Sequence, residues 1–385
     1  MGFVEKDNVF VKEMTAADIR DFLQPQEIVR VSGFTSLSPE AAAGLAQQPG
    51  RLVFTDLTDL SPEAARELAR HRGEMIVFEA LVGLAPAAAA ALGPHERMIH
   101  FPALASLSAE TARGLAGHNG MALSLTALKT LDPDAAVALG GYKGSLFLYG
   151  LSELSEGAAR GLAHYRGFVL SLLGLTRLAP DAALGLTGYP GQLILDGLTE
   201  LTPETARSLA HYKGSSLHLG GLRALSDAAA ESLAACTAPL SLHGLTALTS
   251  LPLAAKLARQ GGVVLDSLTT LSADVAGILG THAGPLHLAR LASVSAEVAR
   301  GLAARRGMLW LVGLKTLEPE AAEAFARHEG ELFLSGVGTL SDAAAESLAR
   351  HSGRLNLSGL HTLSDTAAAA LLVNPDVYVP DRFKR

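Results

Sequence analysis

Apolar residues recur along this chain in a phrase of fixed length. It reads GSSLHLGGLRALSDAAAESLA at 214–234 and GELFLSGVGTLSDAAAESLA at 330–349. One apolar anchor per phrase falls at Phe34, Leu57, Leu81, Leu104, Leu128, Leu151, Leu175, Leu198, Leu222, Leu245, Leu268, Leu291, Leu314, Val337 and Leu360, always 23 or 24 residues from the last. Such a period signals stacked supersecondary units whose core runs along an axis. The positions five and three residues before the anchor are apolar, as in Leu146 and Leu148 before Leu151. Alternation at period two puts both on the buried face of a short strand. A second Leu three residues after the anchor, such as Leu154 or Leu340, brings the chain back into the core.

A short helix is predicted next. Ser, Thr or Asp stands at its start at Ser38, Ser61, Ser108, Asp132, Ser155, Thr202, Ser226, Ser341 and Ser364, and Pro occupies the first helical position at Pro39, Pro62, Pro133 and Pro203. An Ala pair and a Leu, as in Ala64, Ala65 and Leu68, form its inward stripe, where Ala permits close approach. Glycines such as Gly50, Gly73, Gly120, Gly144 and Gly167 lie between helix and strand. They suggest a left-handed or tightly bent backbone there.

The regularity varies along the chain. From Phe34 to Leu222 the intervals alternate between 23 and 24, and the helix arginines Arg66, Arg113, Arg160 and Arg207 recur every 47 residues, which points to a duplicated pair of turns. After Leu222 every interval is 23. Around Cys236 to Gln260 the pattern loosens, with Ala238 and Pro239 where Gly and a strand start belong and LTSLPLAAKLA shifted by one residue, so a bend or weak joint is expected there. Val11 extends the series one step back, with Met14, Thr15, Ile19 and Phe22 in matching places and Lys6 and Asn8 at the strand positions. The expected organisation is one solenoid domain over 1–385: a degenerate N-terminal capping turn at 1–33, repeats over 34–373, and a C-terminal cap strand and tail at 374–385.

Composition fits a repeated small-residue core, since 49% of residues are hydrophobic but only 5% aromatic. With 31 Lys and Arg against 38 Asp and Glu, the formal charge of -7 predicts no general affinity for nucleic acid or anionic membranes. The start of the sequence has no basic-then-apolar signal and no stretch of 18 apolar residues occurs, so a cytoplasmic location is expected. The lone Cys236 excludes an internal disulfide and fits a reducing compartment.

The period, the strand of alternating Leu and the Leu-x-x-Leu step into a short helix resemble the leucine-rich repeat family. The phrase LSELSEGAARGLAHY at 151–165 is similar to the bacterial BspA-like class, departing from it with Ala-Ala for Ala-Phe and His or Tyr for Cys. Gly150, Gly174, Gly197 and Gly221 stand where many eukaryotic members carry an Asn ladder. The fold class implied is α/β, a right-handed leucine-rich repeat solenoid with a parallel sheet on one face and short helices on the other. The family resemblance also implies binding of a partner, most often protein, through the strand face.

The most conspicuous column of reactive side chains lies fourteen residues after each anchor: His71, His95, His118, Tyr142, Tyr165, Tyr189, Tyr212, Cys236, His282, Arg305, His328 and His351. Stacked His, Tyr and Cys could share a metal. One role filled repeatedly argues instead for rings that cover the helix end and donate to its last carbonyls. The string His95-Glu96-Arg97-Met98-Ile99-His100 has the wrong spacing for a zinc-protease helix, and neither a phosphate loop nor a nucleophile elbow is present. Acids such as Glu63, Glu110, Glu204, Glu297 and Glu320 sit in first helical turns, where they favour the helix dipole. No catalytic residue, metal site or cofactor is assigned, and the chain reads as a non-enzyme.

The outward strand positions, four and two residues before each anchor, vary while the core columns barely do. Phe147 with Tyr149, and Trp310 with Val312 and Phe333, form two apolar patches there. Aromatic anchors of this kind are typical of protein interfaces. These five residues are therefore the candidate partner-binding site of a binding or scaffold protein. The alternatives are a structural or self-assembling solenoid, and an enzyme, which would need a polar pocket that the repeat does not show.

Overall fold

The computed structural model describes residues 3–6, 9–22 and 26–384. They form an α/β repeat of alternating short strands and helices, grouped in two compact units: Met1–Leu198 with His211–His218, and Thr199–Ala210 with Leu219–Arg385. In the first, the strands Ile28–Val31, Arg51–Phe54, Met75–Phe78, Met98–Phe101, Ala122–Leu125, Ser145–Phe147, Val169–Ser171, Gln192–Ile194 and Ser216–His218 pair in parallel, each with the next. Equivalent core residues lie side by side, as in Leu146 with Leu170 and Leu193 with Leu217. The phenyl rings of Phe54, Phe78 and Phe101 stack at 5.4 and 5.3 Å in one of these columns. In the second unit a parallel sheet runs from Val263–Val264 through Leu286–His287, Leu309–Trp310, Leu332–Phe333 and Leu355–Asn356 to Val377–Tyr378.

The expected inward stripe is the core. Leu146, Leu148, Leu151, Ala158, Ala159 and Leu162 have no exposed surface, and other turns repeat this. Burial of four leucines and two alanines in such a turn is what drives stacking, at roughly 25 cal/mol per Å² of apolar surface removed from water. Every expected N-cap is made, each accepting a hydrogen bond from a backbone N–H of the first turn, and Ser250, Ser272 and Ser295 do the same. The helices that begin after Ala85, Ala179 and Glu318 lack a side-chain cap, and each has Pro at its first position, with the backbone preset and one fewer donor to satisfy.

Three expectations need correction. The glycines after the helices are not left-handed: among the described residues Gly33 alone has a positive φ, of 76°. Their reason is close approach, since a Cβ on Gly144 would fall under 3.0 Å from the Gly120 carbonyl and the Tyr142 hydroxyl. The leading segment keeps the 23-residue register, with Met14 beside Leu37 in parallel, but its expected parallel strand is one arm of an antiparallel hairpin. Phe3–Lys6 and Val9–Met14 form an antiparallel hairpin, and the latter strand pairs with Ser36–Leu37. Lys6 therefore faces Val9 across the hairpin, while Asn8 lies outside the described residues. Met14 and Ile19 do occupy the core as the spacing suggested.

The third correction concerns the His and Tyr column, which bridges turns instead of closing its own helix. His71 Nε2 meets the Gly50 carbonyl at 2.8 Å, His118 Nε2 that of Arg97 at 3.0 Å, and the Tyr142 and Tyr189 hydroxyls donate to Gly120 and Gly167 at 3.0 and 3.1 Å. Tyr165 donates to Gly144 in the same way. Each ring thus satisfies a carbonyl just ahead of the preceding turn's strand, which removes an orphan acceptor from the core. Asn374, at this place in the last turn, donates instead to the carbonyls of Ala349 and His351, at the end of the preceding helix, at 2.9 and 2.8 Å.

Candidate binding face

Alternation along each strand sends the predicted site residues to the face opposite the core. Phe147 ends the strand Ser145–Phe147 and is half-buried, while Tyr149, two residues on, is 39% exposed. Their rings meet at 5.4 Å, tilted by 47°. Partial burial raises the Tyr149 phenol above its ordinary value, against a smaller opposing effect of the Ser171 hydroxyl. Leu173, also 39% exposed, extends this apolar surface on the next turn of the same unit.

The second unit carries the longer patch. Register puts His287 beside Trp310 and Trp310 beside Phe333 on successive strands. The His287 imidazole stacks on the Trp310 indole at 4.4 Å, and Trp310 meets Phe333 at 4.8 Å. Phe333 and the half-exposed Tyr378, with Asn356 between them, line a cavity of ≈ 490 Å³ whose rim includes Glu331, Arg354 and Lys384. Val312 is half-buried two residues beyond Trp310. The predicted residues therefore fall in two groups, Phe147 with Tyr149 in one unit and Trp310, Val312 and Phe333 in the other.

His287 and Tyr378 belong to the second patch and were not among the predicted residues. The spacing of 23 from His287 to Trp310 aligns them, whereas Tyr378 lies in a closing strand whose interval is shorter, with Asn356 opposite it. The polar positions nearby are modest: the Asp266 carboxylate accepts from the Ala289 N–H at 3.2 Å, and Glu331 pairs with Arg354 at 3.7 Å.

The buried column offers chemistry of a different kind. His71, His95 and His118 stack at 6.0 and 5.8 Å with planes inclined by 21° and 12°, and the series continues into Tyr142, Tyr165 and Tyr189. Nearly parallel rings do not converge on a point, and among the described residues no three His, Cys, Asp or Glu side chains are grouped to hold a metal. Burial, the largest cause, pushes His95 down to about 4, with His118 and His71 adding to it. Desolvation likewise raises the Tyr142, Tyr165 and Tyr189 phenols far beyond their usual range. Arg305 fills the same column and is 2% exposed, its guanidinium donating to the Gly284 and Met308 carbonyls, and burial lowers it to about 10. Among the described residues no helix is long and apolar enough to cross a membrane.

No protein-family model and no curated protein sequence matches the chain. Its structure is similar to that of a leucine-rich repeat protein of Leptospira interrogans, at 16% identity and a TM-score of 0.50 over 97% of this chain and 96% of that one. It is also similar to a chain of the Drosophila Toll–Spatzle complex in its glycosylated form, at 13% identity and a TM-score of 0.55. That match covers 92% of this chain and 54% of the other, so this chain spans about half its length. At such identities the likeness is one of fold, and the fold is the leucine-rich repeat.

Proposed function

We propose that the chain is a non-enzymatic binding protein that takes a protein partner on the strand face of its second unit, anchored by His287, Trp310 and Phe333. The observation that carries this reading is the in-register run of three aromatic rings at positions where other turns hold Ser241, Val264 or Asn356. The repeat does not need rings there, because its core is complete on the other side of the sheet. Large rings that retain exposed surface supply the burial a protein interface concentrates in a few anchors, often about 2 kcal/mol or more each. A similar fold in the Toll–Spatzle complex, an assembly of proteins, is consistent with this reading. The polar rim of Asp266, Glu331 and Arg354 would set orientation rather than affinity. A cytoplasmic site of action goes with the buried thiol of Cys236, the one cysteine in the sequence.

The test is capture of native partners by the parent and by Trp310→Ser combined with Phe333→Ser. The double variant is expected to keep its helicity and to lose at least tenfold in affinity, about 1.4 kcal/mol. Capture of the same protein at unchanged affinity would remove the assignment.

A further inference from the structure

Within the second unit the strands donate to one another in a fixed rhythm. Leu265 donates its N–H to His287, Leu288 to Trp310, Leu311 to Phe333, Leu334 to Asn356 and Leu357 to Tyr378, each at 2.9 Å. Two residues earlier in each strand a second rung runs from Val263 to Pro285, Leu286 to Met308, Leu309 to Glu331 and Leu332 to Arg354. The same spacing would send Leu240 to Gly262 and Leu242 to Val264. Neither rung is made, and the sheet starts afresh at Val263–Val264.

A side chain stands in for the first missing rung. Leu240 donates its N–H to Gln260 Oε1 at 2.6 Å, and Gln260 Nε2 donates back to the Leu240 carbonyl at 3.0 Å. A carboxamide carries the same acceptor and donor as a peptide group, so it satisfies both backbone groups of Leu240. It differs in hanging on rotatable bonds, and so it holds no strand in place. Gln260 follows the helix Leu251–Leu257 at the place the rings fill elsewhere, but it reaches Leu240, in the short strand Leu240–Ser241, instead of the carbonyl ahead of that strand. The turn around it is loose: a Cβ on Gly261 would meet nothing within 4 Å, and one on Gly262 nothing nearer than 3.9 Å. At Gly284, one turn later, a Cβ would collide with the Gly261 carbonyl.

We propose that the segment from Leu240 to Val264 is a hinge latched by Gln260. In the closed state the carboxamide fills the missing rung. In the open state it swings out, water takes the Leu240 N–H and C=O, and the two strands tilt apart about the backbone bonds just beyond them, from Ser267 N–H to the His243 carbonyl and from Thr269 N–H to the Thr246 carbonyl, because no backbone rung between the strands themselves has to break. Opening would change the angle between the strand face bearing Ser241 and His243 and that bearing Val264, His287 and Trp310. The hinge is independent of what that face binds.

Two measurements test it on the full chain. Residue-resolved hydrogen exchange in Gln260→Ala should show the Leu240 amide exchanging at least tenfold faster than in the parent, with Leu286 and Leu309 within twofold. Unchanged exchange at Leu240, or equal acceleration of all three, would overturn the proposal. Gln260→Glu keeps the acceptor and loses the donor, so it should give a smaller acceleration and supplies the same comparison if the alanine variant does not fold. Spin labels on Glu231→Cys and Gly277→Cys, in a Cys236→Ser background, span the joint from exposed helical positions; labels on Arg300→Cys and Glu346→Cys span two regular turns at equal sequence separation. The first pair should give the broader distance distribution and broaden further in Gln260→Ala. Equal widths for both pairs would contradict a hinge.

Discussion

Acid should unlock the first unit through His95. Its ring has no exposed surface, lies between the rings of His71 and His118 at 6.0 and 5.8 Å, and neither of its nitrogens makes a hydrogen bond of ordinary geometry. A proton there would place a cation among buried rings, which is why its pKa falls from 6.5 to about 4, with only partial compensation from the Met98 and His71 backbone. A group whose folded pKa is depressed in this way binds its proton more readily unfolded. Its contribution is complete above about 6.5, is lost as pH falls from there toward 4, and then levels off. The full loss is roughly 3 kcal/mol, and about 2 kcal/mol of it is gone by pH 5. His71 and His118 shift in the same direction, also chiefly by desolvation. The assay is urea unfolding of the parent and of His95→Tyr at pH 7.5 and 5.0. Tyr occupies this column in later turns and keeps the stack while removing the titration, and carboxylates cancel between the two proteins. The stability of the parent relative to the variant should fall by about 2 kcal/mol between the two pH values. A difference independent of pH would refute the reasoning.

Other substitutions test single links of the packing account. Arg305→Tyr replaces a buried cation, held only by carbonyls, with the ring that serves other turns, and should stabilise the chain by about 1–2 kcal/mol; a loss in urea melts would show that the cation is needed. Gly144→Ala should cost about 2–4 kcal/mol because its Cβ has no room, whereas Gly277→Ala, in an open helical position, should gain about 0.5–1 kcal/mol, and the opposite order in thermal melts would be decisive against close approach as the glycines' role. Leu146→Ala should cost about 2–5 kcal/mol and Ser145→Ala almost nothing, and equal effects would mean that the strand register is wrong.

The repeat made much of this fold legible, because each core position is restated in turn after turn. Leu146 alone says little, but its column says strand. What the repeat could not convey was which physical constraint a column obeys. Gly144 and its equivalents announce a backbone that tolerates no Cβ, and a left-handed turn is only one such case; here the obstacles are a carbonyl and the ring of Tyr142. The column of His71 and Tyr142 was recognisable as structural, yet its acceptors lie 21 and 22 residues away, on the preceding turn, and only the stacked geometry pairs them. Met14 and Ile19 follow the repeat spacing because they keep the repeat register, Met14 pairing in parallel with Leu37, 23 residues on. At the joint the sequence showed loss of pattern around Cys236 to Gln260, but not the carboxamide bridge that replaces a rung. Of the candidate face, Trp310 and Phe333 follow from alternation, and their stacking with His287 follows from a constant interval. Tyr378 escaped because the final interval is shorter.

The central claim is that a protein partner sits on the strand face of the second unit. A photo-crosslinking residue placed at Phe333, on that face, and in a separate protein at the exposed Arg300, on a helix, tests it most directly. In the presence of captured partner, the Phe333 position should yield a crosslinked protein adduct and the Arg300 position should not. Adducts from Arg300 alone would contradict the account and move binding to the helices.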